Sequence, residues 1–330
     1  MNLDAVLVSV VIPAHNARLT IDETLRSVRS QTHEWLDIIV VDDGSTDDTV
    51  TIAQRHAAQD SRISIIRQEN AGVASARNSG WRGARSDFVA FIDADDLWAP
   101  TKIERQLRAM LLGGERTGLI YSWYVLVDAK SRMIGRGVPA FCAGDVLDEI
   151  FAGNFIGNGS AVLVRRQALL AANGFDSRLR EAGAEGCEDH LFYCRVAEGY
   201  HFAVVPEYLI GYRYLPENMS SNLPRMLQSW MLVVDEMVGR HPNRTERLNL
   251  GLRKYGSWLL WRALARGQFG HFGSSLSLLI CRDPLLIIKV FAVDLPHHML
   301  ITLRGQIRKL RSIARGEQQS SVYFPIDQPD

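Results

Sequence analysis

Two strongly apolar runs, VLVSVVI at 6–12 and IIVV at 38–41, limit what this chain can fold into. Neither alternates with polar residues, so each predicts a strand covered on both faces, as in parallel sheets packed between helices. The stretch between them carries Leu19, Leu25 and Val28 at helical spacing. Asp22 and Glu23 sit at the end where a helix dipole favours acids. The alternation continues with a helix over 46–59, a strand over 63–67, a helix over 73–84 and a strand over 88–92. Such βαβ repetition gives right-handed crossovers and a mainly parallel α/β sheet flanked by helices. Ligands of these sheets bind beyond the carboxyl ends of the strands. Three such ends carry polar clusters here, at 13–16, 42–45 and 93–96.

After residue 117 the pattern loosens. Strands are expected over 119–127 and 160–164, helices over 146–152, 165–172 and 188–199, and two further strands over 202–205 and 208–214. Beyond 223 nearly everything reads helical to about 314, and the last fifteen residues are polar and expected to fray. Trp258, Trp261 and Leu264 recur at helical spacing, the pattern of a core face. The chain divides into 1–110, 111–222 and a helical module over 223–330.

Charge and cysteine usage exclude some classes. The 37 Lys and Arg balance 37 Asp and Glu, which argues against a nucleic-acid binder, since phosphate contacts need a basic surplus. Cys142, Cys187, Cys194 and Cys281 form no CxxC pair and are too few for a disulfide framework, so a reducing compartment is expected. The opening MNLDAVL lacks the basic start of a signal peptide. No eighteen uncharged apolar residues follow one another, so no spanning helix is expected. The nearest approach, 276–303, contains Arg282, Asp283, Lys289 and Asp294 and precedes Arg304, Arg308, Lys309, Arg311 and Arg315. Two readings stand for 276–315: a helix lying in a membrane interface with its basic tail at the head groups, or one packed on its own domain or a partner subunit. The expected location is cytoplasmic, and under the first reading peripheral at the inner face of the cell membrane.

The acids at the strand ends carry the chemistry. In FVAFIDADDLW a buried strand runs into Asp93, Asp95 and Asp96, which repel one another unless a cation or solvent compensates them. Asp93 and Asp95 could turn toward one hard cation of the Mg²⁺ or Mn²⁺ kind, or the cluster could simply cap the next helix. In IIVVDDGSTDDT, Asp42 and Asp43 leave a buried strand and Gly44 permits a sharp turn. A carboxylate there could accept hydrogen bonds from a base or a ribose, or serve only the turn. In GCEDHLFYCRV, Glu188, Asp189 and His190 open a helix. Acids suit that end through the dipole, and a partly desolvated carboxylate there could also act as a general base. Trp123 and Tyr124 follow a strand and could stack on a sugar or belong to the core. Asn158 and Ser160 in IGNGSAVL could face an acceptor or form a turn. An NAD-dependent enzyme is excluded because the first strand runs into PAHN rather than GxGxxG.

Taken together, VSVVIPAHN at 8–16, IIVVDDGSTDDT at 38–49, ENAGVASARNSG at 69–80, FIDADDLW at 91–98 and CED at 187–189 occur in an order that resembles the family 2 glycosyltransferases. The likeness is dense over 6–110, sparser to about 222, and absent from the helical remainder. It implies a GT-A fold, a Rossmann-like, mainly parallel sheet flanked by helices, and an inverting transfer from a nucleotide-diphospho-sugar, UDP-linked above others. The acceptor it implies is a hydroxyl of a glycan or lipid-linked sugar in cell-surface polysaccharide synthesis. Pro13, Ala14, Asn16, Asp42, Asp43, Gly72, Arg77 and Asp93 would border the nucleotide, with Asp43 on the base. Asp93 and Asp95 would hold Mg²⁺ or Mn²⁺, and Asp189 would be the catalytic base. Trp123, Asn158, Glu188 and His190 are the acceptor candidates. The QxxRW motif of processive synthases is missing, which implies single sugar additions. A non-catalytic carbohydrate- or partner-binding protein on the same fold is the alternative.

Overall fold

A computed structural model describes residues 6–215, 221–303 and 322–326. The alternating first part comprises β1 (Val8–Ala14), α1 (Ile21–Arg29), β2 (Leu36–Asp43), α2 (Thr49–Ala57), β3 (Ile63–Gln68), α3 (Val73–Gly83) and β4 (Phe88–Phe91). Then come β5 (Leu97–Trp98), α4 (Lys102–Leu112), β6 (Thr117–Val127), β7 (Met133–Arg136) and α5 (Leu147–Ala152). After these follow β8 (Val162–Arg165), α6 (Arg166–Ala171), α7 (Arg178–Glu181), α8 (Glu188–Ala197) and β9 (His201–Arg213). The C-terminal helices are α9 (Leu223–Arg240), α10 (Thr245–Ala265), α11 (Phe269–Arg282) and α12, which runs from Pro284 through a π-helical turn to Leu303.

One sheet runs in the order β3-β2-β1-β4-β8-β6-β9-β5, with β7 on β6. The expected parallel pairing holds from β3 to β4, where β1, β2 and β4 are buried along their whole length. Past β4 the sheet is mixed: β8 is antiparallel to β4 and β6, while β6 and β9 are parallel. The chain steps outward from β1 to β3 and returns on the other side of β1 as β4, so the topological switch lies between β1 and β4. In open α/β sheets ligands bind in the crevice at such a switch point.

Several expectations are corrected in detail. Strand β1 continues through Pro13 because Val11 is the last residue paired with β4, and Pro13 turns its missing N–H to the side that β4 has vacated. The two strands expected over 202–214 are one, β9, whose register on β6 slips where Pro206 and Glu207 bulge out. Val322–Ile326 does not fray. Met133 N donates to Val322 O at 2.9 Å, and Phe324, 4% exposed, packs against Gly211. The helix expected over 304–314 and the basic residues 304–315 lie outside the described residues. Helix α12 is long and apolar enough to cross a membrane by length and composition, with mean hydropathy 1.5 and only 17% of that window buried. The expectation of no such helix counted Lys289 and Asp294 as interruptions, yet Asp294 is paired with Arg253 of α10 at 3.1 Å.

Helix α10 ties the C-terminal helices to the sheet domain. Its buried stripe is Leu248, Leu252, Leu259, Leu260 and Ala263, whereas Trp258 and Leu264 are exposed, contrary to the core face expected of them. Gly251 faces α5 so closely that a Cβ would lie 2.3 Å from Phe151 O. Gly251→Ala should therefore lower the unfolding free energy by about 1–3 kcal/mol through overpacking. Gly273→Ala in α11, where a Cβ meets nothing within 4 Å, should be neutral or stabilise by up to about 1 kcal/mol. Urea titration of both variants checks the pair.

Candidate active site

The site is assembled where β1, β2 and β4 end. At β2, Asp43 is buried and braces the loop that follows β3: its carboxylate accepts from Ala71 N and Gly72 N, both at 2.8 Å, and from Gln68 Nε2 at 2.7 Å. Gly72 takes φ 88°, a left-handed conformation that glycine alone adopts freely. A Cβ there would stand 2.8 Å from Arg180 Cδ. Asp42 accepts from Ser45 N at 3.1 Å, and its other oxygen lies buried, 3.6 Å from Arg67 Nε. Pro13 and Ala14 form buried floor beneath these groups, and Asn16, exposed at φ 49°, accepts from Thr46 N at 2.9 Å.

At the β4 end, Asp93, Asp95 and Asp96 take three different positions. Asp93 pairs with Arg77 of α3, Oδ1 to Nη2 at 2.6 Å. Asp96 is fully buried, accepting from Arg213 N at 2.9 Å and Ser160 Oγ at 2.5 Å. Burial first, and then Asp95 and Asp93, hold its pKa well above the usual carboxylate range. Asp95 stays half-buried, and burial followed by the charge of Asp93 pushes its pKa up to about 6. Two hard carboxylates at one strand end, one of them destabilised in its ionised form by the other's charge, are a donor set for a divalent cation, and Asp93 and Asp95 fit it. Among the described residues no group of three or more His, Cys, Asp or Glu forms a fuller cage.

Arg77 joins this end to α8. Its side chain is 5% exposed, lies over Phe175 at 5.2 Å, and has room because residue 159 is glycine: a Cβ there would be 2.4 Å from Arg77 Nη2. Burial opposes the cation, but Asp93 and Asp189 outweigh it and raise the Arg77 pKa. Asp189 in turn has its pKa raised by burial, eased by Arg77 and pushed further by Asp93. Asp93, Arg77 and Asp189, far apart in sequence, thus share one electrostatic environment. Asn158 borders it with a buried side-chain amide whose oxygen and nitrogen both lack a hydrogen-bond partner.

Other candidates are placed differently. His190 is 2% exposed, stacks on Trp230 at 4.0 Å, and is held neutral by burial that lowers its pKa to about 3. Glu188 is buried and accepts from Gly186 N at 2.9 Å. Trp123 donates to Ala140 O at 2.8 Å and packs on Phe141 and Tyr208, which gives it a structural place. A cleft of about 640 Å³ lined by Asn78, Phe175, Asp176, Arg178, Arg195 and Glu236 holds none of the expected site residues. Its acids are taken up by arginines. Residues that sequence reasoning missed are His15, Asn70, Arg180 and Glu185. His15 Nδ1 lies 2.8 Å from Asp43 O and 3.0 Å from Asn70 Nδ2, and Arg180 donates to Asn70 and pairs with Glu185 at 3.5 Å. PAHN and ENAG pointed to the first two; nothing local marks Arg180.

Comparison with known proteins bears on family and fold. Residues 9–139 match the model of glycosyl transferase family 2. TuaG of Bacillus subtilis, named for teichuronic acid biosynthesis, is 44% identical over 32% of this chain and 42% of its own length. WfaP of Escherichia coli, a UDP-Glc:alpha-D-GlcNAc-diphosphoundecaprenol beta-1,3-glucosyltransferase, is 43% identical over 32% of this chain and 41% of its own. The chain thus spans about two fifths of these curated relatives. Among solved structures, S. aureus TarS 1-349 in complex with UDP-GlcNAc superposes with a TM-score of 0.64 at 17% identity, covering 95% of this chain and 93% of that one. The mannosyltransferase PcManGT from Pyrobaculum calidifontis, with GDP-Man and Mn²⁺, gives 0.57 at 19%, covering 91% and 79%. At such identities the likeness speaks for a shared GT-A fold. Over residues 9–139, with the acids of the strand ends inside it, the chain carries a glycosyl transferase family 2 domain.

Proposed function

We propose that this protein is an inverting glycosyltransferase that moves a sugar from a nucleotide-diphospho-sugar, most simply UDP-linked, to a hydroxyl of a glycan or lipid-linked acceptor in cell-surface polysaccharide synthesis. The observation that carries the reading is the Asp93–Arg77–Asp189 grouping at the switch between β1 and β4. UDP, UDP-GlcNAc and UDP-Glc recur in the names of the relatives and neighbours, which favours a uridine nucleotide. Residues 1–110 would serve the donor, 111–222 the acceptor, and 223–330 the membrane side.

On this reading the work divides as follows. The 69–72 loop, braced by Asp43, borders the nucleotide together with Pro13, Ala14, Asn16 and Asp42. A Mg²⁺ or Mn²⁺ ion, which Asp93 and Asp95 would hold, supplies Lewis-acid stabilisation of charge on the leaving diphosphate. Asp189 takes the acceptor hydroxyl proton as the oxygen attacks the anomeric carbon, and the bond to the diphosphate breaks on the opposite face. Burial makes Asp189 a stronger base than an exposed carboxylate. Arg77 keeps that carboxylate ionised and aligned, and the free amide of Asn158 offers the sugar a donor and an acceptor.

Helix α12 exposes Leu285, Ile288, Phe291, Leu300 and Ile301, and five basic residues follow in the sequence at 304–315. An apolar face beside a basic run matches an anionic lipid surface, so residues 276–315 are assigned to the inner face of the cell membrane.

Asp189→Asn should keep donor affinity and lose at least about 100-fold in turnover, since the amide cannot accept a proton. Single-turnover transfer alongside UDP calorimetry reads both, and near-normal transfer places the base elsewhere. Asp95→Ala should weaken UDP binding about tenfold in Mn²⁺ and leave it unchanged in EDTA; equal affinity of variant and wild type in Mn²⁺ removes Asp95 from the metal. Anionic liposomes should float the protein, neutral ones less, and Ile288→Glu should leave it in the dense fraction.

A further inference from the structure

Helix α10 carries Arg262 and Arg266 one turn apart, and among the described residues neither has a carboxylate within ion-pair distance. Both lie over one ring. The guanidinium carbons of Arg262 and Arg266 are 5.9 and 5.1 Å from the centroid of Tyr214, and Arg262 is also 5.3 Å from that of Trp258. Like charges at i and i+4 repel, and ring faces offset only part of this. Arg262 is half-buried, and burial lowers its pKa, opposed only in part by Tyr212 and Tyr255. Other withdrawn arginines are matched to an acid, as Arg77 is to Asp93, Arg195 to Asp176, Arg213 to Glu23 and Arg253 to Asp294, or, as Arg165 and Arg166 are, to carbonyl oxygens. Among the described residues the Arg262–Arg266 pair has neither.

The pair is connected to the reaction centre. Tyr255, two turns before Arg262 on the same face of α10 and about 10 Å along its axis, stacks on Trp230 at 4.1 Å. Trp230 stacks on His190, the residue after Asp189. The charges of Asp189 and Arg262 both act on the Tyr255 hydroxyl. On the neighbouring stripe of α10, Arg253, Ser257 and Trp261 hold Asp294, His298 and Thr302 of α12 at 3.1 to 3.2 Å. One helix thus presents an unmatched dication and half-exposed rings toward the catalytic side, and carries the exposed apolar helix on its flank.

We propose that Arg262 and Arg266, with Tyr214 and Trp258, bind the phosphoryl group that joins the acceptor sugar to a lipid carrier. This assignment rests on the glycosyltransferase reading and names its acceptor class: an anionic lipid-phosphate sugar. The paired guanidinium groups take the phosphate oxygens, the rings lie beneath the adjoining sugar, and the lipid chain runs along α12.

The test uses the full chain in Mn²⁺ with UDP saturating the donor site, and compares farnesyl diphosphate with inorganic pyrophosphate by calorimetry. Wild type should bind farnesyl diphosphate at least tenfold more tightly than pyrophosphate. R262Q/R266Q should lose at least tenfold in affinity for farnesyl diphosphate, R262K/R266K should stay within threefold, and UDP affinity should be unchanged in both. R266E, at an exposed position that leaves packing intact, should lose at least tenfold on its own. Undiminished binding by R262Q/R266Q and R266E overturns the subsite, and equal affinity for the two probes overturns the lipid assignment. A wild-type protein that binds farnesyl diphosphate but not UDP keeps the subsite and counts against the donor reading instead.

Discussion

A guanidinium withdrawn from water between two carboxylates is the constraint on which the site depends. Arg77 comes from α3, Asp93 from the end of β4 and Asp189 from the first turn of α8, so the three segments are held to one another by charge as much as by packing. Removing one partner from such a buried pair costs about 3–5 kcal/mol, because the remaining charge is left without compensation in a poor solvent. Phe175 beneath the guanidinium and the missing side chain at Gly159 shape the slot it occupies. The acids read as reactive groups are therefore also part of what closes the cleft.

Around that pair the three aspartates of the β4 end divide their work by burial. Asp96 is the structural one: through Arg213 N and Ser160 Oγ it pins the ends of β9 and the turn before β8 to β4. Arg213 then spans the back of the site, donating to Asp95 O at 2.7 Å and pairing with Glu23 at 2.7 Å. With Asp93 turned to Arg77 and Asp96 locked inside, Asp95 is the carboxylate left with charge to share. A cation held there would relieve a repulsion that the fold itself has created.

The parallel half of the sheet was legible because its strands are apolar on both faces and its helices are amphipathic, and both periods survive in the residues. The acids at 43, 93, 95 and 189 were legible because charge at the end of a buried strand or helix needs a reason. Less legible were elements held by remote partners. β5 is two residues long and exists through pairing with β9, and the short apolar VYFPI at 322–326, set within a polar tail, buries Phe324. Arg180 reaches Asn70 across 110 positions, a contact no local pattern encodes. His190 and Asp189 are neighbours in sequence, yet one is a stacked, neutral ring and the other a carboxylate that shares the charge environment of Arg77 and Asp93.

The family match stops at residue 139, while the residues that would choose an acceptor lie beyond it. That division has a physical basis. A nucleotide diphosphate is recognised by strand ends and glycine-bearing loops, whose backbone demands leave marks in any sequence. On the proposed reading, acceptor recognition would fall to side chains on α8, α9 and α10, whose mutual placement depends on helix packing. The stack from His190 through Trp230 and Tyr255 to Trp258 makes that packing continuous with the catalytic helix. His190 within it is uncharged, because burial lowers its pKa to about 3. The outer face of α10, the ring stack and the first turn of α8 are thereby parts of one packed unit rather than of two independent modules.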